Sequence, residues 1–456
     1  MRRILWFRRD LRVDDNPLLS QKGDVLPIFI FDPEILDSLP KNDRRVTFIF
    51  HLLLNLKSAL RARGLDLAIF HGKPADVFEW LLKNGSYHDV CASGDYDAYA
   101  LTRDRKISHL IEFNRIHDTY IFSPDEVLKK DGTPYQVFTP FYNCAKTLFT
   151  PMHMTEFIPV SQSLIDFDYT LIHRIDKNGH TTLPISIESI GFETQNLTPH
   201  QKMSPNEKLK LFASKLNSYS HDRDYMILDA TSSLSTDLRF GTISIRAVLR
   251  WLNQQKKSGM NTEPFFRQLI FRDFYAMILY HFPHLATQNF RYRFEGIPND
   301  EYFKAFCSAQ TGVPIVDAGV RELLETGEMH NRIRMICASF FTKNLLLPWQ
   351  WGEAFFAKHL NDYDAASNIL SWQWSAGTGV DPQPYFRIFN PYTQTARFDK
   401  ETRYIKQHIP ELSDISNTFL HDEYALTRSS FKNYPQPIVD HKSSSKKALE
   451  YFKQTL

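Results

Sequence analysis

Ile4-Leu5-Trp6-Phe7-Arg8-Arg9-Asp10-Leu11-Arg12 sets four apolar residues directly against a run of charge. An apolar run that short and that sharply bounded fits a strand covered on both faces better than one stripe of a helix. Similar runs return at residues 25–31, 65–71, 89–93 and 119–123, with amphipathic stretches at 44–63, 74–83 and 99–113 between them. Strands alternating with helices predict a doubly wound parallel sheet over residues 1–140. No GxGxxG follows any of these strands, so the dinucleotide fingerprint is missing.

Beyond this α/β domain the pattern changes. Residues 141–200 are rich in Pro, Ser, Thr and Asn without a lasting period, and read as an interdomain linker. Helical patterns then dominate at 205–216, 243–255, 263–280, 316–327, 330–346 and 351–360. Residues 201–440 are therefore expected to form a second, mostly α domain, with a loosely held Lys- and Ser-rich tail at 441–456.

A net charge of +2 gives no global field for nucleic acid, so any such site has to be a local patch. The four cysteines, Cys91, Cys144, Cys307 and Cys337, stand alone. Without a CxxC there is no zinc or iron–sulfur signature, no metal is expected, and a reduced, cytoplasmic protein is. The first twelve residues carry five arginines and do not resemble a secretory leader. No apolar run approaches the roughly 20 residues of a membrane span, so no membrane partner is expected.

Four segments carry chemistry. Thr231-Ser232-Ser233-Leu234-Ser235 puts hydroxyls at a helix start, where they either cap it or help hold a phosphate, with Arg272 as a charge-assisted partner. In residues 327–335, Asn331, Arg334 and Met335 share a helix face, which is either a pocket wall or a solvated helix start. In residues 361–374, Asp364, Asn368 and Trp372 recur at i, i+4 and i+8. That stripe is either a pocket wall or part of a core, but a dry Asp–Asn stripe asks for a partner. Trp374 lies about 200° further round that helix. Residues 385–391, Y-F-R-I-F-N-P, read as a packed loop.

These segments, with Trp6–Arg12, Asp15-Asn16 and Gly132-Thr133-Pro134-Tyr135 before Val137–Phe141, resemble the photolyase/cryptochrome superfamily over nearly the whole chain. The resemblance implies an α/β antenna domain and a helical domain holding FAD. It implies flavin contacts at Tyr219, Thr231, Ser232, Leu234, Ser235, Arg272, Asn331, Arg334, Asp362, Asp364 and Asn368. It implies a catalytic group of Asn368, beside the flavin N5, with Trp372 and Trp349 as electron stations. A lesion and DNA surface is implied at Gln268, Phe271, Arg332, Met335, Trp374, Arg223 and Arg387.

Asn331 in the M-H-N-R context resembles cyclobutane-dimer photolyases. Gln268 stands where bacterial members have Glu, Phe271 and Glu328 stand where they have Trp, and Phe306 stands at the outer electron station, leaving Trp351 or Tyr302 as the exit. Thr102-Arg103 replaces the Asn-Glu pair of folate binders, so the antenna is folate, deazaflavin, flavin or none. The expected function is light-driven repair of pyrimidine dimers in damaged DNA by a monomer. A blue-light receptor of the cryptochrome kind and a 6-4 photolyase are the alternatives.

Overall fold

Ile4, Leu5, Trp6 and Phe7 are each at most 2% exposed, because the strand they form is covered on both faces. The computed structural model describes residues 1–428 and 433–455. The chain packs into two units. The first contains Met1–Asp131, Tyr142–Ala213 and Ser232–Asp273; the second contains Gly132–Phe141, Ser214–Thr231 and Phe274–Leu456.

In the first unit the strands are β1 (Arg2–Phe7), β2 (Asp24–Phe31), β3 (Ala68–His71), β4 (Asp89–Ser93), β5 (Glu112–Ile116), β6 (Ser163–Leu164), β7 (Ile172–Asp176) and β8 (Gly179–Leu183). Their order is β5-β4-β1-β2-β3-β7-β8, with β6 against β2. Only the β7–β8 pairing is antiparallel. Leu5 and Phe7 join a core with Val46, Leu53 and Leu56 of helix Arg44–Arg61. Ile4 and Trp6 join the opposite core with Val77, Phe78 and Leu81 of helix Pro74–Asn84. Alternate side chains thus feed the two layers, as the period of two requires.

Several expectations are corrected. Residues 119–123 are not a strand; the fifth strand is Glu112–Ile116, and the helix before it stops at Ser108. Tyr120, Ile121 and Phe122 are buried as a packed loop instead. Side chains satisfy its backbone: Phe122 N–H donates to Asp273 at 2.9 Å, and Arg272 donates to the Thr119 carbonyl at 2.7 Å. Buried apolar sequence alone does not separate the two cases. The stretch 141–200 read as a linker supplies β6, β7 and β8 to the sheet. Its usable signal was Asn178-Gly179 at the turn into β8, where Gly179, the strand's first residue, takes φ +117°. The tail is also ordered: His441–Thr455 is a helix, pinned by Ala448 and Phe452 against Phe294, Leu346 and Tyr385.

The second unit is helical. Its site-bearing elements are Asn331–Ser339, Trp349–His359 and Ala365–Ala376. The single helix expected over 330–346 gives way to a π-helical turn at Phe340–Asn344. No described helix is long and apolar enough to cross a membrane, and no group of three or more His, Cys, Asp or Glu among the described residues could hold a metal.

Candidate functional site

Asp364 starts the helix Ala365–Ala376 as its cap, accepting from Ser367 N–H at 3.1 Å. One turn on, Asn368 is 8% exposed. Its Nδ2 donates to the Glu353 carbonyl at 3.1 Å and to Glu353 Oε1 at 2.9 Å. Both amide hydrogens are thereby used, so the group Asn368 offers onward is its carbonyl oxygen, an acceptor. Burial raises the pKa of the Glu353 carboxyl, against hydrogen bonds from Asn368 and Tyr363 that lower it.

Asn368→Asp sets a second carboxyl against that of Glu353. The two cannot both ionise freely at this spacing, so one proton is held above the ordinary carboxylate range. The pair's raised pKa makes the variant most stable at low pH, and stability falls as pH rises through the raised value. Loss of two donated hydrogen bonds costs about 1–3 kcal/mol. The expected result is a bound-flavin absorption spectrum, under light and reductant, that acquires a pH dependence above the ordinary carboxylate range. Spectra identical to the parent's at every pH would rule out this role for Asn368.

Trp372, two turns beyond Asp364, is 2% exposed. It meets Phe341 edge-on at 5.4 Å and Phe356 at 4.9 Å. Phe341 in turn meets Phe303 at 6.2 Å, and Phe303 meets the half-buried Trp351 at 5.2 Å. Trp349 is also buried, and its indole N–H donates to Asn289 Oδ1 at 2.7 Å. Phe306 is fully buried against Phe341 and Phe355. At the position aligned with the outer station, the chain thus places a core phenylalanine. Trp374 is half-buried and has no ring partner among the described residues.

His330 caps helix Asn331–Ser339, its Nδ1 accepting from Arg332 N–H at 3.1 Å. Burial pushes its pKa down to about 4, so it caps as a neutral ring. Asn331 Nδ2 reaches Met335 Sδ at 3.6 Å, joining the two residues that the i, i+4 spacing paired. Arg334 Nη2 binds both oxygens of Asp362, at 3.0 and 2.9 Å. Arg332 is tied to Asp224 at 2.8 Å and lies over Phe398 at 4.4 Å. Arg223 lies over Tyr219 at 5.6 Å. Of the three arginines expected to attract DNA, two are thus engaged within the protein, while Arg387 is exposed.

In the first unit, Ser233 takes φ +52° ahead of helix Ser235–Phe240, and Ser232 Oγ accepts from Leu234 N–H at 3.4 Å. Arg272 lies over Tyr120 at 4.5 Å and donates one Nη each to Thr119 and Leu238 carbonyls. Three of its five N–H groups remain for a ligand. Gln268, Phe271 and Arg272 share one face of helix Glu263–His281, and the half-buried Gln268 amide has no hydrogen bond among the described residues.

The sequence reading missed a cluster at the carboxyl ends of β1 and β4, the point where the strand order reverses. There the Arg8 and Arg103 guanidinium groups each lie 4.8 Å from the Trp6 ring, and Asp104 pairs with Arg8, Arg103 and Arg115. Asp95 is half-buried, and burial would raise its pKa, yet Arg9, Arg239, Arg103 and Arg8 hold it well below the ordinary carboxylate value. Ligands of open α/β sheets sit at such switch points. Arg8 and Arg9 of the opening run were visible, but their convergence with Arg103, Arg115 and Arg239 was not.

Residues 3–159 match the DNA photolyase family, and residues 265–454 match the FAD binding domain of DNA photolyase. The chain belongs to the DNA photolyase family. It is 34% identical to a deoxyribodipyrimidine photo-lyase of Alkalihalophilus pseudofirmus, across 99% of this chain and 98% of the relative. Among solved structures it is similar to a class III photolyase of Agrobacterium tumefaciens, with a TM-score of 0.85 and 29% identity, covering 99% of this chain and 98% of the other. It is also similar to an archaeal photolyase of Sulfolobus tokodaii that carries two FAD molecules, with a TM-score of 0.83 and 30% identity over both whole chains.

The residues present fit the family's FAD. Hydroxyls at Thr231, Ser232 and Ser235 and the spare N–H groups of Arg272 are donors of the kind a pyrophosphate accepts. Asn368 and Asp364 offer acceptors of the kind a ring edge bearing N–H groups meets.

Proposed function

We propose that this photolyase-family chain repairs pyrimidine dimers in DNA under light. The observation that carries the reading is helix Ala365–Ala376: Asn368 is locked to Glu353, and on the same helix Trp374 keeps a half-buried indole without a ring partner. The helix thus carries a fixed polar acceptor and, on another face, an indole open to stacking. FAD, when bound in reduced form, supplies after light absorption the electron that splits the dimer and takes it back afterwards.

The chain's own residues bind and orient the lesion. Trp374 offers a stacking face to a base taken out of the duplex, a step that is least costly for damaged, poorly stacked bases. Asn331 and Met335 lie together on a neighbouring helix face. Gln268 has a free carboxamide that can donate to a thymine carbonyl. Arg103 sets a cation where folate-binding relatives have an acid, so the second chromophore we favour is a flavin or deazaflavin rather than folate.

The test is purified protein, an ultraviolet-damaged oligonucleotide, and blue light with and without reductant. Dimers should disappear only in the light with reduced FAD. Tight binding of the damaged strand with no loss of dimers under those conditions would overturn the reading.

A further inference from the structure

Residues 290–294, F-R-Y-R-F, form a fastened strap in the second unit. The N–H groups of Phe290 and Arg291 both donate to the Thr378 carbonyl, at 3.0 and 2.8 Å. Asn289 Nδ2 donates to the carbonyls of Tyr292 and Phe294, at 3.3 and 3.4 Å. Tyr292 holds a left-handed φ of +56° while 43% exposed. An L-residue adopts that conformation at a cost and keeps it where its surroundings impose it. Its ring stacks on the buried Phe294, with centroids 5.1 Å apart and planes 21° apart.

Arg291 and Arg293 flank that ring. Both are exposed, and among the described residues neither has an ion-pair partner. Arg332 and Arg334, by contrast, are neutralised by Asp224 and Asp362. Phe294 also meets Tyr385 at 6.1 Å, which joins the strap to residues 384–387. There Phe386 is 65% exposed, and Arg387 is exposed and likewise without an ion-pair partner among the described residues. Lys343 lies beneath, its ammonium donating to the carbonyls of Pro384, Tyr385 and Arg387 at 3.5, 3.3 and 3.1 Å.

We propose that Arg291, Tyr292 and Arg293, together with Phe386 and Arg387, bind the sugar–phosphate backbone and an unstacked base of a nucleic acid strand flanking the lesion. This rests on the reading of DNA as substrate. Unpaired guanidinium groups around a rigid, exposed aromatic ring are the chemistry of sequence-independent strand binding. In a chain of net charge +2, they also supply a local cationic patch that the ion-paired arginines do not.

The test measures affinity for damaged and undamaged oligonucleotides across a salt series, with the parent holoenzyme and an Arg291→Gln/Arg293→Gln variant. Each lost phosphate contact should reduce the slope of log affinity against log salt by about 0.7–0.9, so the pair should remove roughly 1.5. Affinity should fall by the same factor for damaged and undamaged strands, with the FAD spectrum unchanged. Arg293→Gln alone should show about half the change in slope. Tyr292→Leu should weaken single-strand binding by about fivefold or more. Slopes and affinities equal to the parent's in the double variant would overturn the surface. A parent that bound no DNA would instead overturn the substrate reading.

Discussion

Trp372→Phe should remove most of the light-driven reduction of bound oxidised FAD, lowering its rate by about tenfold or more, equivalent to roughly 1.4 kcal/mol in the barrier. Trp372 is the oxidisable ring of its cluster, since the rings it touches are Phe341 and Phe356. The next indoles are Trp349, whose N–H is bonded to Asn289, and Trp351, reached through Phe341 and Phe303. A hydrogen bond from the Trp349 indole N–H to a carbonyl oxygen favours a positive charge on that ring. Trp351 is half-buried. Repair by chemically reduced enzyme should survive Trp372→Phe, since that reaction needs no electron from the protein. Transient absorption of the indole radical paired with a repair assay separates the two outcomes. Normal photoreduction in the variant would refute the relay.

Gly352→Ala is expected to be the most damaging of the single-atom changes near this site. A Cβ at Gly352 would lie 2.2 Å from Trp372 Cη2 and 2.3 Å from Cζ3, far inside contact distance. The indole is buried between two phenylalanine rings and cannot swing aside freely, so either the helices Trp349–His359 and Ala365–Ala376 part or the ring tilts. Overpacking of this kind costs about 1–3 kcal/mol. A drop of several degrees in Tm should accompany reduced photoreduction, because the same ring is displaced. A variant with parental Tm and parental photoreduction would show that the helices tolerate separation.

Much of this was legible in the sequence, for physical reasons. The apolar runs at β1, β2 and β4 are continuous because both faces of a parallel strand are covered, and such runs announce themselves. Asp364, Asn368 and Trp372 were grouped by helical spacing alone, and the structure sets them on one helix, with Asp364 as its cap. Asn331 and Met335 were paired the same way and do touch. What escaped detection depends on distant partners. Glu353, which occupies both hydrogens of Asn368, lies fifteen residues upstream on another helix. Asp224, which neutralises Arg332, is more than a hundred residues away. Residues 119–123 look like a strand because burial is written in their composition, whereas the side chains that satisfy their backbone are not. Phe306 was assigned by alignment to a position whose burial no spacing rule reports.

Lys343 has a consequence of a different kind. Its side chain is fully buried, and burial pushes its pKa from 10.5 down to about 7. The unfolded chain keeps this proton up to the ordinary lysine range, while the native protein gives it up near neutrality. Between those two values folding expels close to one proton from this residue alone. Because the unfolded state then binds more protons, the Lys343 contribution to stability rises as pH increases from about 7 towards 10.5. Below that window the native protein must instead carry the charge in its interior, held by three backbone carbonyls and the face of Phe452. The heat of unfolding measured in mildly alkaline solution therefore includes the ionisation enthalpy of whatever buffer supplies the proton that Lys343 takes up, and it should differ between phosphate and an amine buffer at one pH.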